Sequence, residues 1–150
     1  MANSSADPKS VLSPNDSPPE IKHVDDMEWE VTRFGTNSKF LFHPTEERPT
    51  EPCAGVLRYD AGASFRLHRH DFAQVWYVIE GELQYGDQTM RAGNIIYHPD
   101  SHYEHPMHTE NGCSILFVQY QGHTTGAAPI YDGRMNLTKA QADAEQDLKR

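Results

Sequence analysis

From Trp29 to Gln121 the chain is cut into short apolar runs by turn-forming residues every six to twelve positions. Runs of that length, bounded by Gly, Pro, Asn and Asp, read as β-strands, and many of them in series make a sandwich or a barrel. The candidate strands are Glu30–Arg33, Lys39–His43, Ala54–Tyr59, Ser64–His70, Val75–Glu80, Glu82–Tyr85, Gln88–Arg91, Asn94–His98 and Ser114–Gln121. The turns between them include Asp60–Gly62, Gly81, Ala92–Gly93 and Pro99–Ser101, and Gly86–Asp87 suits a tight hairpin. A chain of 150 residues, 37% hydrophobic, is the size of one domain with one core.

The flanks differ. Residues 1–24 are rich in Ser, Pro, Asp and Asn and hold too little apolar surface to offset ordering entropy, so a disordered arm is expected there. The barrel is then expected over 25–136, of which 122–136 is an extended tail. A short, weakly amphipathic helix is expected over 137–150, where Thr138 and Gln141 fit a capping box. The formal charge of −9 argues against binding a phosphate backbone or an anionic membrane surface. No apolar run approaches the length needed to span a bilayer, and the first residues lack a secretion pattern. Cys53 and Cys113 lie far apart and form no CxxC, so free thiols and a cytoplasmic setting are expected.

Nine histidines is a high count for a chain of this size, and four of them fall within eleven residues: His98, His102, His105 and His108. A second group lies in GASFRLHRHDFAQVWYVIEG, residues 62–81. There His68 and His70 are two apart, which on a strand puts both imidazoles on one face, their Cα atoms about 6–7 Å apart. Both rings can then reach one ion at about 2.0–2.1 Å. Gln74 would lie about 20 Å from His68 on a straight strand, so it joins them only if the chain turns at Asp71–Ala73. Gln74, Trp76 and Val78 would then face inward, and Val75, Tyr77 and Ile79 outward.

These residues resemble the first motif of the cupin family, G-x5-HxH-x3/4-E-x6-G, as small single-domain cupins carry it. Gly62, His68, His70 and Gly81 fall on it, and Gln74 stands where Glu is usual. The second cupin motif, G-x5-P-x-G-x2-H-x3-N, is met by Gly93 and Pro99, with Ser101 for the second glycine. Its histidine position falls on Glu104. A one-residue insertion would bring His105 there instead, with His102 as the other choice. The resemblance covers residues 52–121. It implies a double-stranded β-helix barrel, the cupin form of the jelly roll, often a homodimer.

It also implies one divalent metal ion held by His68, His70, Gln74 and His105. Fe(II) is favoured; Mn(II), Ni(II) and Zn(II) are also compatible with nitrogen and oxygen ligands. With Gln74 in place of Glu all four ligands are neutral, so the ion keeps its full charge and polarises a bound carbonyl more strongly. His102 is the expected acid–base group. Arg66, Trp76, Tyr97 and Tyr103 are expected to line a pocket for a small organic substrate. His98 and His108 are read as strand-end and loop residues, and His23, His43 and His123 as solvated. The resemblance points first to dioxygenase-type cleavage of a small oxygenated substrate, as in diketone-cleaving cupins. The same site could serve a non-redox lyase or isomerase. A metal-sensing module, as in anti-sigma regulators, is the non-catalytic alternative.

Overall fold

A computed structural model describes residues 13–31 and 36–121 of the chain. The expected tail 122–136 and C-terminal helix, His123, and the first twelve residues of the expected arm lie outside the described residues. Eleven strands follow in order: β1 Glu30–Val31, β2 Thr36–Phe42, β3 Cys53–Tyr59, β4 Ser64–Phe65, β5 His68–His70, β6 Ala73–Tyr85, β7 Gln88–Arg91, β8 Ile95–His98, β9 His102–Glu104, β10 Met107–His108 and β11 Cys113–Tyr120. One sheet runs β1-β2-β3-β11-β6-β10-β4, with β7 and β8 also paired to β6, and β5 pairs with β9 in a separate ribbon. This is the expected all-β jelly-roll barrel.

The organising element is β6. Its first half pairs with β11 and β8, and its second half with β7 and β10. Gly81, expected as a turn between two strands, is a bend inside this one strand. Its φ is 79°, and a Cβ there would run into the Gly112 carbonyl. Only glycine takes that conformation at no steric cost. The bend lets β6 leave one wall of the barrel and enter the next.

Alternation along β6 is as expected. Gln74, Trp76 and Val78 are buried, while Tyr77 and Ile79 are exposed. Trp76, Val78, Leu83, Ile115 and Phe117 form the centre of the core, each side chain contributing about 1.5–3 kcal/mol by leaving water. Cys53 and Cys113 are free and buried. Burial pushes their thiols up to about 12 and about 11, the latter with help from the charge of Glu80. They are packing groups, not ligands. No helix among the described residues is long and apolar enough to cross a membrane.

The expected strand Ser64–His70 is two strands, β4 and β5, broken at Arg66–Leu67. The break moves the chain from the pairing with β10 to the pairing with β9. Strands β9 and β10 occupy a stretch expected to be turn and loop. The inward residues of β9 are His102 and Glu104, and β10 is only Met107–His108, so neither carries the repeated apolar signature of a strand.

Candidate metal centre

The histidine pair and the histidine-rich segment meet across the β5–β9 ribbon. The antiparallel register sets His68 opposite Glu104 and His70 opposite His102. Residues two apart share a face, so all four side chains point inward, and all four are at least nine-tenths buried. The intervening Arg69 and Tyr103 face outward. A second wall faces them. Asp71 and Phe72 form the expected bend, and Gln74 follows on β6. Gln74 stands between Gln119 of β11 and His98 of β8 in one cross-strand row, and all three are buried. Phe72 packs against His70 and His102, with ring centroids 4.7 and 6.1 Å away, and closes one side.

Glu104 is the centre of this arrangement. Its Oε2 lies 2.8 Å from His68 Nε2, and its Oε1 lies 3.3 Å from His70 Nε2 and 3.6 Å from His102 Nε2. The Gln74 amide also donates to Oε1. Burial alone would raise the Glu104 carboxyl. The imidazole of His70 and the hydrogen bonds from His102, His68 and His70 outweigh it, holding the carboxyl well below its usual range. His98 behaves oppositely. Burial first, and then the neighbouring imidazoles, bring it down to about 4 against the pull of Glu104.

Two rings have their tautomer set by the backbone. His68 Nδ1 lies 2.7 Å from the Arg66 carbonyl, and His102 Nδ1 lies 2.7 Å from the Pro99 carbonyl. A carbonyl only accepts, so each Nδ1 carries the hydrogen, and each Nε2 meets the Glu104 carboxylate either as a donor, when the ring is protonated, or as a lone pair, when it is neutral. Lone pair facing anion is repulsive unless a proton or a cation lies between them. A metal ligand histidine has this same construction, one nitrogen held by a carbonyl and the other aimed at the ion. Ligands at about 2.0–2.2 Å from one ion stand roughly 3–3.5 Å apart. The His70–Glu104 separation of 3.3 Å falls within that spacing, and the His68–Glu104 separation of 2.8 Å lies just under it. His68, His70 and Glu104 offer donor atoms all within 4.8 Å of one another. The residues fit a divalent ion.

The expected site residues fare unequally. His68, His70, Gln74 and His102 are brought together. His105 is not: it follows Glu104 on the opposite face, is exposed, and stacks between Tyr85 and Tyr103 at 5.2 and 5.3 Å. No insertion shifts the register, and Glu104 itself takes the inward position. The inward groups therefore include a carboxylate, and an ion held by them would not keep the full charge expected of four neutral ligands. As oriented, Gln74 offers its –NH₂ rather than its carbonyl, and Gln119 Nε2 donates to its Oε1 at 3.4 Å.

Trp76 is buried beside His98, with ring centroids 4.6 Å apart. Arg66 is exposed and serves the site through its carbonyl. Tyr97 and Tyr103 are 68% and 61% exposed on outer faces, so neither lines the pocket. Both alternate with inward residues, His98 for Tyr97 and Glu104 for Tyr103, which is why they point away. The sequence reading missed the inward placement of His98, whose Nε2 lies 3.0 Å from the Tyr85 hydroxyl. His108 is exposed and meets Ser64 Oγ at 2.9 Å, as a loop-side residue would.

The profile of the ChrR cupin-like domain matches residues 18–123, well over half of the chain. The chain belongs to this cupin family. A search of curated sequences returns no significant match. Among solved structures, an RmlC-like cupin from Shewanella frigidimarina is 22% identical, with a TM-score of 0.56 over 77% of this chain and 95% of the other. An acetylacetone dioxygenase from Acinetobacter johnsonii is 13% identical, with a TM-score of 0.59 over 90% and 93%. The Rhodobacter sphaeroides complex of SigE with the anti-sigma ChrR gives 21% identity and a TM-score of 0.52 over 65% of this chain and 51% of that one. Likeness at these identities speaks for the fold alone. It agrees with the cupin barrel described above.

Proposed function

We propose that this cupin is a metal-dependent enzyme acting on a small oxygenated organic substrate, with dioxygenase-type cleavage as its reaction. The observation that carries the reading is the grouping of His68, His70 and Glu104 on one face of the β5–β9 ribbon. Two imidazoles and one carboxylate, with other coordination positions open, are the ligand set of non-haem Fe(II) oxygenases. A bound Fe(II) would chelate the substrate oxygens and activate O₂.

The chain's own residues supply the rest. The Arg66 carbonyl holds the His68 ring in one tautomer. The Gln74 amide fixes the Glu104 carboxylate. Phe72 and Trp76, both buried, keep water from that side of the site. His102 presents Nε2 toward the same space, placed to hold a proton taken from a carbon acid next to a carbonyl. The expected pocket wall is redrawn around Phe72, Trp76 and Gln119 in place of Arg66, Tyr97 and Tyr103.

The test has two steps. First, the metal content of the purified full-length chain is compared with that of His68→Ala. Metal bound equally by both, or by neither, sinks the metal reading. Second, oxygen uptake is followed with β-dicarbonyl and hydroxyaryl ketone substrates after Fe(II) loading. Turnover that continues without oxygen rejects the dioxygenase form and leaves the lyase or isomerase form. A second, non-catalytic reading draws on the family match: a metal-sensing module, as the likeness to the SigE–ChrR complex suggests. It predicts a protein partner released by metal or oxidant, and no turnover.

A further inference from the structure

The pocket holds more donors than one ion needs. His68, His70 and Glu104 form one group, and His98, His102 and Glu104 form another whose donor atoms also lie within 4.8 Å of one another. Glu104 belongs to both. Its Oε2 faces His68, while its Oε1 lies toward both His70 and His102. On the second side, the His98 and His102 rings stand 4.7 Å apart between centroids. The His102 Nδ1–H is taken by the Pro99 carbonyl, which leaves Nε2 as its free donor; with a second ion bound that nitrogen is a ligand, and the proton-holding role given to it above belongs to the one-ion form. His98 is 4% exposed, and its Nδ1 is buried with no hydrogen-bond partner while Tyr85 holds Nε2. A buried imidazole nitrogen without a partner calls for an occupant.

We propose that the pocket takes a second divalent cation, at a position built from His98 and His102 and bridged to the first by the carboxylate of Glu104. This rests on the metal-binding reading above and goes beyond its single ion. Carboxylate-bridged pairs of ions stand about 3.5–4 Å apart in two-metal enzymes, where together they clamp both oxygens of a reacting group. The Gln74 amide now fills part of the second position. Its Nε2 donates to Glu104 and lies 3.4 Å from His102 Nε2, as a neutral stand-in for a cation. To admit the ion the amide turns and presents Oε1. Gln119 Oε1, buried and without a partner, is placed to take part in that exchange. The second ion therefore binds more weakly than the first, by tenfold or more.

The experiment uses the full chain, stripped by chelator and titrated with Mn(II) under equilibrium dialysis, with EPR of the loaded protein. Two equivalents per chain in two affinity classes, with an exchange-coupled signal from paired ions, are expected. His98→Ala and the ring-conserving His98→Phe should each keep one equivalent with an uncoupled signal. Thermal melts confirm that each variant is folded, and His98→Phe decides if His98→Ala is not. Saturation of the parent at one equivalent with an uncoupled signal overturns the proposal, as does retention of two equivalents by His98→Phe. One equivalent, lost in His68→Ala, rejects the second site and leaves the first intact. No bound Mn(II) in the parent rejects both.

Discussion

His98 makes the stability of the metal-free protein depend on pH, with a sign and size set by its burial. Its ordinary value is 6.5, and in the fold it sits at about 4. The folded state therefore prefers the neutral ring. Between those two values the unfolded chain binds a proton that the native state refuses. Stability is unaffected above 6.5, falls as the pH drops from 6.5 toward 4, and levels off below. Moving from pH 7.5 to pH 5 should cost about 2 kcal/mol through this one group, out of a limit near 3.4 kcal/mol at lower pH. Glu104 does not blur the window. Its carboxyl is held below 4.5, so its stabilising contribution is retained above that value and is lost only in stronger acid.

The assay is urea unfolding with excess chelator at pH 7.5, 6 and 5, for the parent and for His98→Phe. Phenylalanine keeps a ring beside Trp76 and removes the titration. The quantity of interest is the difference in slope between the two proteins, because every other ionisable group is common to both. The parent should lose about 2 kcal/mol more than the variant across the range. Equal losses would refute the burial argument and show that His98 meets solvent or keeps its proton on folding.

Three further outcomes follow from the geometry. Glu104→Gln removes the site's anion and should weaken divalent metal binding by at least a hundredfold in dialysis, since it takes away the donor common to both groups. His105→Ala should leave metal affinity within about twofold of the parent by the same measurement, because His105 is exposed on the opposite face; a loss like that of His68→Ala would restore it as a ligand. Gly81→Ala meets both a positive φ and the Gly112 carbonyl, and should lower stability by about 2–4 kcal/mol in chemical denaturation, with a change under 1 kcal/mol showing that β6 can straighten.

The barrel was legible because apolar alternation and turn residues are local signals. Val75–Ile79 shows this well: its inward and outward residues follow from period two alone. The HxH pair was legible for the same reason. What escaped were the polar strands. His102–Glu104 carries no apolar residue on its inward face, so periodicity in hydrophobicity was blind to it, and its strand character comes from pairing with β5. Once β9 is seen as a strand, His102 and Glu104 mirror His68 and His70. Its polar alternation was the available signal, and the unshifted motif spacing already fell on Glu104. His98 escaped because a histidine before a proline reads as a strand end. Its burial comes from the row Gln119–Gln74–His98, which exists only after three strands are paired.

The two departures from the cupin motifs belong together. Gln74 stands where the first motif has a carboxylate, and Glu104 stands where the second has an imidazole. Taken singly, the first leaves the site without an anion, and the second places an anion where a neutral ligand is usual. Taken as a pair they move the carboxylate across the pocket, from β6 to β9, and leave its charge unchanged. The move has a chemical consequence. On β6 the carboxylate would have Gln119 and His98 as cross-strand neighbours. On β9 it lies among the Nε2 atoms of His68, His70 and His102, with Gln74 donating from the far wall. A carboxylate at the edge of a site serves one ion. A carboxylate between two histidine pairs faces the space on both sides of it, and on the two-ion proposal the position of the charge rather than its amount would set how many cations the pocket can hold.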